Sequence, residues 1–190
     1  MEIINGERLV LGTCYYPEHW DESLWRDDLK RMLENGIEVI RIAEFAWSKI
    51  ERYEGVFNYD FFDRFLDVAA DMGMKVIFCT PTATPPAWLT EKYPEVLNAN
   101  MDGVLYRHGG RRHYNYNSPK YQELTRIIVE KSASHYAKHP AIIGWQIDNE
   151  INCEKNEFYS ESDTIAFRKF LMEKYGSIDN FSKAYGKTKQ

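Results

Sequence analysis

The stretch AIIGWQIDNE, residues 141–150, decides between the folds open to this sequence. Its first part, AIIGWQI, is almost entirely apolar and predicts a fully buried strand of a parallel sheet. The strand then runs directly into Asp148, Asn149 and Glu150. Because parallel strands of a barrel end at one face, where catalytic groups gather, polar side chains at this point predict a functional site.

The sequence before and after this stretch alternates between strand-like and helix-like patterns. Apolar runs predict three earlier strands, over 9–16, Ile37–Ile42 and Lys75–Cys79. Apolar residues at helical spacing predict helices from near Asp21 to Asn35, up to Gly73, from Pro119 to before Pro140, and over 164–175. This alternation is typical of an α/β fold.

The turn after the first strand separates two α/β architectures. It reads YYPEHW, residues 15–20, and contains no glycine, whereas a dinucleotide-binding open sheet needs a glycine-rich turn there. The sequence therefore predicts a TIM-type (β/α)8 barrel. A full barrel takes about 250 residues, so we expect the 190 residues to form one domain with about the first four βα units, the truncated N-terminal half of a barrel.

Composition excludes several classes of protein. The net charge of -5 comes from interspersed acids and bases, which disfavours a nucleic-acid partner. No stretch approaches the ~20 apolar residues of a membrane span, and the first residues do not read as a secretion signal, so we expect a cytoplasmic protein. Cys14, Cys79 and Cys153 are far apart and favour buried free thiols over disulfides.

Glu150 is the strongest candidate for catalysis. Retaining hydrolysis of a glycoside needs one carboxylic acid to protonate the leaving oxygen and a nucleophilic carboxylate about 5–5.5 Å away. Glu150 has the position and chemistry of the first group, and Asn149 those of a ligand to a sugar hydroxyl. On general grounds, however, a glutamate after a strand is also explained as a helix N-terminal charge or an ion-pair partner.

Six segments together resemble one known family. In order and spacing they are similar to glycoside hydrolase family 42, bacterial β-galactosidases with a (β/α)8 catalytic domain, and they read YYPEHW, RIAEFAWSKIE, GVFNYDFFDRFLD, TPTATPPAWL, GRRHYNYNSP and GWQIDNE. The resemblance covers nearly the whole chain. It implies hydrolysis of terminal non-reducing β-D-galactose residues by a retaining double displacement, with a β-galactoside as substrate and an oligomer, often a trimer.

The resemblance also assigns roles to individual residues. It implies Glu150 as acid/base, with Asn149 and Arg111 contacting substrate, although Arg111 is also explained as a loop-ordering ion-pair partner. Arg41 resembles the arginine that related barrels place against the nucleophile. Pairing with Glu44 is an equally good explanation of Arg41.

Two departures from the family pattern carry predictions of their own. Several members bind a structural zinc through cysteines, but this chain has Asn115, Tyr159, Glu161 and Thr164 at those places, so we predict no metal and no cofactor. The family takes its nucleophile glutamate from the seventh strand, and no residue of this chain matches it. A catalytically inactive or sugar-binding remnant is therefore the competing hypothesis. A metal-dependent hydrolase finds no ligand cluster in the sequence.

Overall fold

A computed structural model describes residues 9–151, 153 and 155–186 of the chain. The chain divides into two compact units, one formed by Met1–Leu89 with Thr125–Ile151 and the other by Thr90–Leu124 with Asn152–Gln190. The four-stranded parallel sheet belongs to the first unit. Each unit is described separately below.

The parallel sheet contains strands β1 (Leu11–Cys14), β2 (Ile37–Ile42), β5 (Lys75–Cys79) and β6 (Ile142–Gln146), which lie side by side in that order. Neighbouring strands thus follow chain order with no reversal, as in a barrel, whereas an open doubly wound sheet reverses its order. Strands β3 (Glu51–Tyr53) and β4 (Val56–Phe57) form a separate antiparallel hairpin that the sequence analysis did not predict.

Helices follow the strands of the first unit and cover one side of the sheet. They are α1 (Trp25–Glu34), α2 (Trp47–Ile50) and α3 (Asp60–Asp71), whose apolar faces bury Trp25, Leu29, Phe62, Phe65 and Leu66. On the sheet, Ile40, Ile42, Val76 and Phe78 are completely buried. Asp21 caps the short 3-10 turn before α1 by accepting a hydrogen bond from the Ser23 backbone, as its position in the sequence predicts.

The last strand differs from its prediction. β6 was expected to be fully buried, and this is wrong: every one of its residues keeps partial exposure, and Trp145 is 37% exposed. Within the described residues it pairs with β5 alone, so one edge has no strand beside it. The cysteine prediction is also partly wrong, because Cys79 is buried but Cys14 is exposed.

Helix α4 (Ala87–Lys92) and helix α5 (Pro119–Tyr136) each contain a boundary between the units. α4 and the 3-10 turns Pro81–Ala83 and Pro94–Val96 lie in the segment predicted as one long loop. In the second unit, α6 (Glu161–Tyr175) begins three residues before its predicted start, at a capping box made by Ser160 and Asp163. It ends at Gly176, which has a φ of 71°, and α7 (Ile178–Ala184) follows.

We predict that Leu66→Ala lowers the free energy of unfolding by about 2–5 kcal/mol, since it removes buried methyl groups and leaves a cavity under the sheet. Val56→Ala, at a site that is 58% exposed, is the control and should change it by less than about 0.5 kcal/mol. Urea unfolding of both variants measures the difference. Equal losses would show that α3 does not pack as described.

Candidate functional site

The residues after β6 are fixed to the end of β5. The backbone N–H of Thr80 donates to the carbonyl of Gln146 (2.9 Å), and the Thr80 hydroxyl accepts from the N–H of Asp148 (2.7 Å). Asp148 in turn accepts from the N–H of Asn149 with its own carboxylate (2.5 Å). The turn that carries Asn149 and Glu150 is therefore held from a neighbouring strand.

The backbone of this turn is unusual on both sides of Asn149. Asp148 has a φ of 55° and Glu150 a φ of 47°, in the left-handed region that residues with a side chain rarely adopt. Conformations of this kind cost of order 1–3 kcal/mol each and are concentrated at functional sites. The observation points to the turn as a site independently of its sequence motif.

A buried carboxylate lies beyond the end of β2. Glu44 has no solvent exposure, and its Oε1 accepts from Arg41 Nη2 and from the Tyr16 hydroxyl, each at 2.8 Å. Burial, with the bond to Glu44, raises the pKa of Tyr16 to about 12, so Tyr16 stays a donor at neutral pH. Burial, with the charge of Glu44, also raises the pKa of Cys79 to about 12.

Arg41 connects this carboxylate to the turn after β6. Its Nη2 also lies 3.0 Å from Cys14 Sγ, and its Nη1 donates to Gln146 Oε1 at 2.8 Å. Gln146 Nε2 then donates to the carbonyl of Asp148 (2.8 Å) and to Asn149 Oδ1 (3.2 Å). Arg41 therefore pairs with Glu44 and also belongs to the same polar network as Asn149, and its place against the nucleophile stays a prediction.

We call this set the strand-end network and define it as Tyr16, Glu44, Arg41, Gln146 and Asn149. It joins two of the four predicted site residues, Arg41 and Asn149, and a third, Glu150, follows Asn149 directly and is exposed. The sequence analysis missed Gln146 and Tyr16. Gln146 lies on the same side of its strand as Gly144, and the Arg41–Ile77–Gly144 register aligns that side with Arg41, which no local pattern of the sequence indicates.

Arg111 lies in the second unit and is exposed. The next residue, Arg112, is only 5% exposed, has a φ of 58°, and donates to the hydroxyls of Tyr114 (2.7 Å) and Tyr116 (2.5 Å). Arg112 therefore orders this segment, and whether Arg111 contacts substrate or also orders the loop stays a prediction. Of the two adjacent arginines, Arg112 is thus buried and structural, whereas Arg111 is exposed.

His113 is a packing residue of the same segment. It is 5% exposed, its Nδ1 bonds the carbonyl of Gly110, and its Nε2 has no hydrogen-bond partner among the described residues. Its ring packs edge-on against His108 and Tyr114. Burial lowers the pKa of His113, so the neutral ring is favoured. This geometry favours packing over a role as substrate ligand for His113.

The position that corresponds to the zinc site of several family members does not suit a metal in this chain. Asn115 is fully buried, and its Nδ2 donates to the hydroxyls of Ser160 and Ser162. A carboxamide binds a cation through its oxygen, and Asn115 Oδ1 already accepts from the N–H of Asn117 (2.8 Å). Over the described part of the chain, no cluster of three or more His, Cys, Asp or Glu side chains has the arrangement of a metal site.

Helix α5, with 18 residues, is the longest described helix. Neither it nor any other helix among the described residues is both long and apolar enough to cross a membrane.

Comparison with known proteins gives consistent matches. A family model for β-galactosidases, glycoside hydrolase family 42, matches residues 14–189. A β-galactosidase of Halorubrum lacusprofundi is 41% identical over 93% of this chain and 25% of its own length, and one of a Thermus species is 43% identical over 93% and 28%. The crystal structure of a β-galactosidase from the psychrophilic Marinomonas ef1 superimposes with a TM-score of 0.90 at 43% identity, covering 94% of this chain and 27% of its own.

We predict that acidification below the ordinary histidine range destabilises the protein through His113. Its folded-state pKa is lowered, so the unfolded chain binds a proton first and stability is lost as pH falls from about 6.5 toward the folded pKa, by at most about 1.4 kcal/mol per pH unit. His113→Asn keeps a donor for Gly110 but does not titrate. Urea unfolding from pH 5 to 8 should show that the free energy of unfolding depends less on pH in the variant. An unchanged pH dependence would show that His113 is not the group responsible.

Proposed function

Because this chain belongs to glycoside hydrolase family 42, we propose that it supplies the acid/base and part of the sugar-binding site of a β-galactosidase. The reaction is hydrolysis of terminal non-reducing β-D-galactose residues with retention of configuration. The observation that carries the proposal is the strand-end network, which connects Arg41, near the end of β2, to the amide beside Glu150.

Glu150 is the acid/base in this proposal. In the first step its carboxylic acid protonates the glycosidic oxygen as the bond to the leaving group breaks, and in the second its carboxylate takes a proton from the attacking water. An exposed carboxylate on a turn held from β5 suits both steps, because it is reachable by the aglycone and by water. The backbone strain at Asp148 and Glu150 supports a functional role for this turn.

The other groups bind and orient the sugar. Asn149 contacts a hydroxyl of the ring, a bond that strengthens as positive charge builds on the sugar in the transition state. Arg111 supplies a further contact from its exposed position after Gly109 and Gly110. Arg41, anchored by Glu44, is the cation that keeps a nucleophilic carboxylate ionised.

The nucleophile itself comes from outside these residues in this proposal. The chain spans only about a quarter of the length of the curated relatives, 25% and 28% for the two described above. Glu44 does not suit the role, because it is fully buried and already accepts two hydrogen bonds on one oxygen. The 190 residues are then the N-terminal half of a catalytic (β/α)8 barrel.

Sugar binding without turnover is the second candidate function. It is favoured because, among the residues that the structure describes, Glu150 alone suits either carboxylate role, whereas a double displacement needs two carboxylates. The two functions share Asn149 and Arg41 and differ in what Glu150 does, so a variant of Glu150 separates them.

We predict that Glu150→Gln lowers kcat/KM by about 10²–10⁴-fold for methyl β-galactoside and far less for dinitrophenyl β-galactoside, because kcat/KM reports the first step and the dinitrophenyl group leaves without a proton. The assay uses the protein expressed from the complete reading frame that encodes these residues. Glu173→Gln on the exposed side of α6 is the matched control and should leave both rates unchanged.

Two other outcomes are informative. Equal losses for both substrates would remove Glu150 from the role of acid. Binding of galactosides with no turnover of either substrate by the unmutated protein would establish the second candidate function.

A further inference from the structure

Gln146 occupies the centre of the strand-end network, and each of its polar atoms meets a partner of fixed chemistry. Its Oε1 faces Arg41 Nη1 at 2.8 Å, and its Nε2 faces the backbone carbonyl of Asp148 at 2.8 Å. A guanidinium only donates, and a carbonyl only accepts. The carboxamide of Gln146 therefore has one allowed orientation, with oxygen toward β2 and nitrogen toward the turn.

This orientation determines that of Asn149. Gln146 Nε2 lies 3.2 Å from the Asn149 carboxamide, and because Nε2 is only a donor, the Asn149 atom it meets must be Oδ1. The NH2 group of Asn149 is then directed away from Gln146. In this orientation the hydrogen-bond donors of Asn149 lie on the side of its carboxamide away from Gln146.

The constraint begins at the buried carboxylate. Glu44, with no solvent exposure, fixes Arg41 Nη2 at 2.8 Å, which leaves Nη1 for Gln146. The guanidinium of Arg41 and the carbonyl of Asp148 select the same orientation of the Gln146 carboxamide from its two ends. The orientation of Asn149 is thus set through two intermediate side chains on two strands.

We propose that Gln146 is a positioning residue that fixes the Asn149 carboxamide as a donor to a sugar hydroxyl. The inference rests on the proposed function for the identity of the ligand, but the fixed orientation stands on the contacts above. Its consequence is selectivity for galactosides that carry an acceptor hydroxyl beside the scissile bond, at carbon 2, where such bonds strengthen in the transition state.

Gln146→Glu tests the proposal with little change in shape. The carboxylate still accepts from Arg41, but it cannot donate to Asn149, so the Asn149 carboxamide is expected to turn its NH2 group inward toward the new acceptor. Gln146→Met, which removes all three side-chain hydrogen bonds of Gln146, is a second variant in case the added charge prevents folding. Gln122→Glu, at an exposed glutamine of α5, is the matched control.

The first readout is the dissociation constant of methyl thio-β-galactoside, a sulfur-linked probe, and of its 2-deoxy counterpart, measured by calorimetry on the protein from the complete reading frame. We expect the unmutated protein and Gln122→Glu to prefer the 2-hydroxyl probe by about tenfold, the value of one good hydrogen bond. Gln146→Glu and Gln146→Met should bring this ratio close to one. Weaker binding of both probes with an unchanged ratio would indicate a merely structural role and overturn the proposal.

The second readout separates this inference from the proposed function. Side-chain amide NMR signals of Gln146 and Asn149, assigned by their loss in Gln146→Met and Asn149→Ala, report the orientation without any sugar. We expect the Gln146 amide protons to be protected from exchange and the Asn149 signals to shift in Gln146→Glu. If neither probe binds, the proposed function fails; if the Asn149 signals are the same in Gln146→Glu, the fixed orientation is wrong.

Discussion

A carboxylate without contact with solvent must be paired, and the ion pair of Glu44 with Arg41 is the constraint on which this site depends. Removing one partner of a buried pair costs about 3–5 kcal/mol, because the remaining charge is left without compensation. Here the carboxylate is fully buried while Arg41 keeps 32% of its side-chain exposure. The pair therefore fixes Arg41 firmly at one end and leaves its other nitrogen available to orient Gln146 and, through it, Asn149.

Much of the fold could be predicted from the sequence because its strands are short apolar runs bounded by glycine or proline. β2 and β5 have the predicted bounds, and the membership of the chain in family 42 confirms the barrel class, of which four strands are described. Burial at β6 was wrong because an apolar run cannot show whether a strand has neighbours on both edges. The hairpin β3–β4 was missed because its strands have only three and two residues, too short for periodicity to be recognised.

Less of the site could be predicted. Asn149 and Glu150 are visible as polar residues after an apolar strand, and Arg41 as a charge at the end of another. The hydrogen bonds that connect Arg41 to Asn149 through Gln146 depend on the register of three strands, which no local sequence pattern contains. Gln146 was therefore interpreted as part of an apolar strand. The division of Arg111 and Arg112 into exposed and buried members depends on the positive φ of Arg112, which the sequence does not indicate.

The most direct test of this account is a double-mutant cycle of Arg41→Met and Glu44→Leu, measured as free energies of unfolding in urea. If the ion pair anchors the strand-end network, Arg41→Met alone costs about 3 kcal/mol, and the double variant costs less than the sum of the single ones by about 1.5–3 kcal/mol. Single effects that add to within about 0.5 kcal/mol would show that the two side chains are independent. The orientation of Gln146 and Asn149 would then need another origin.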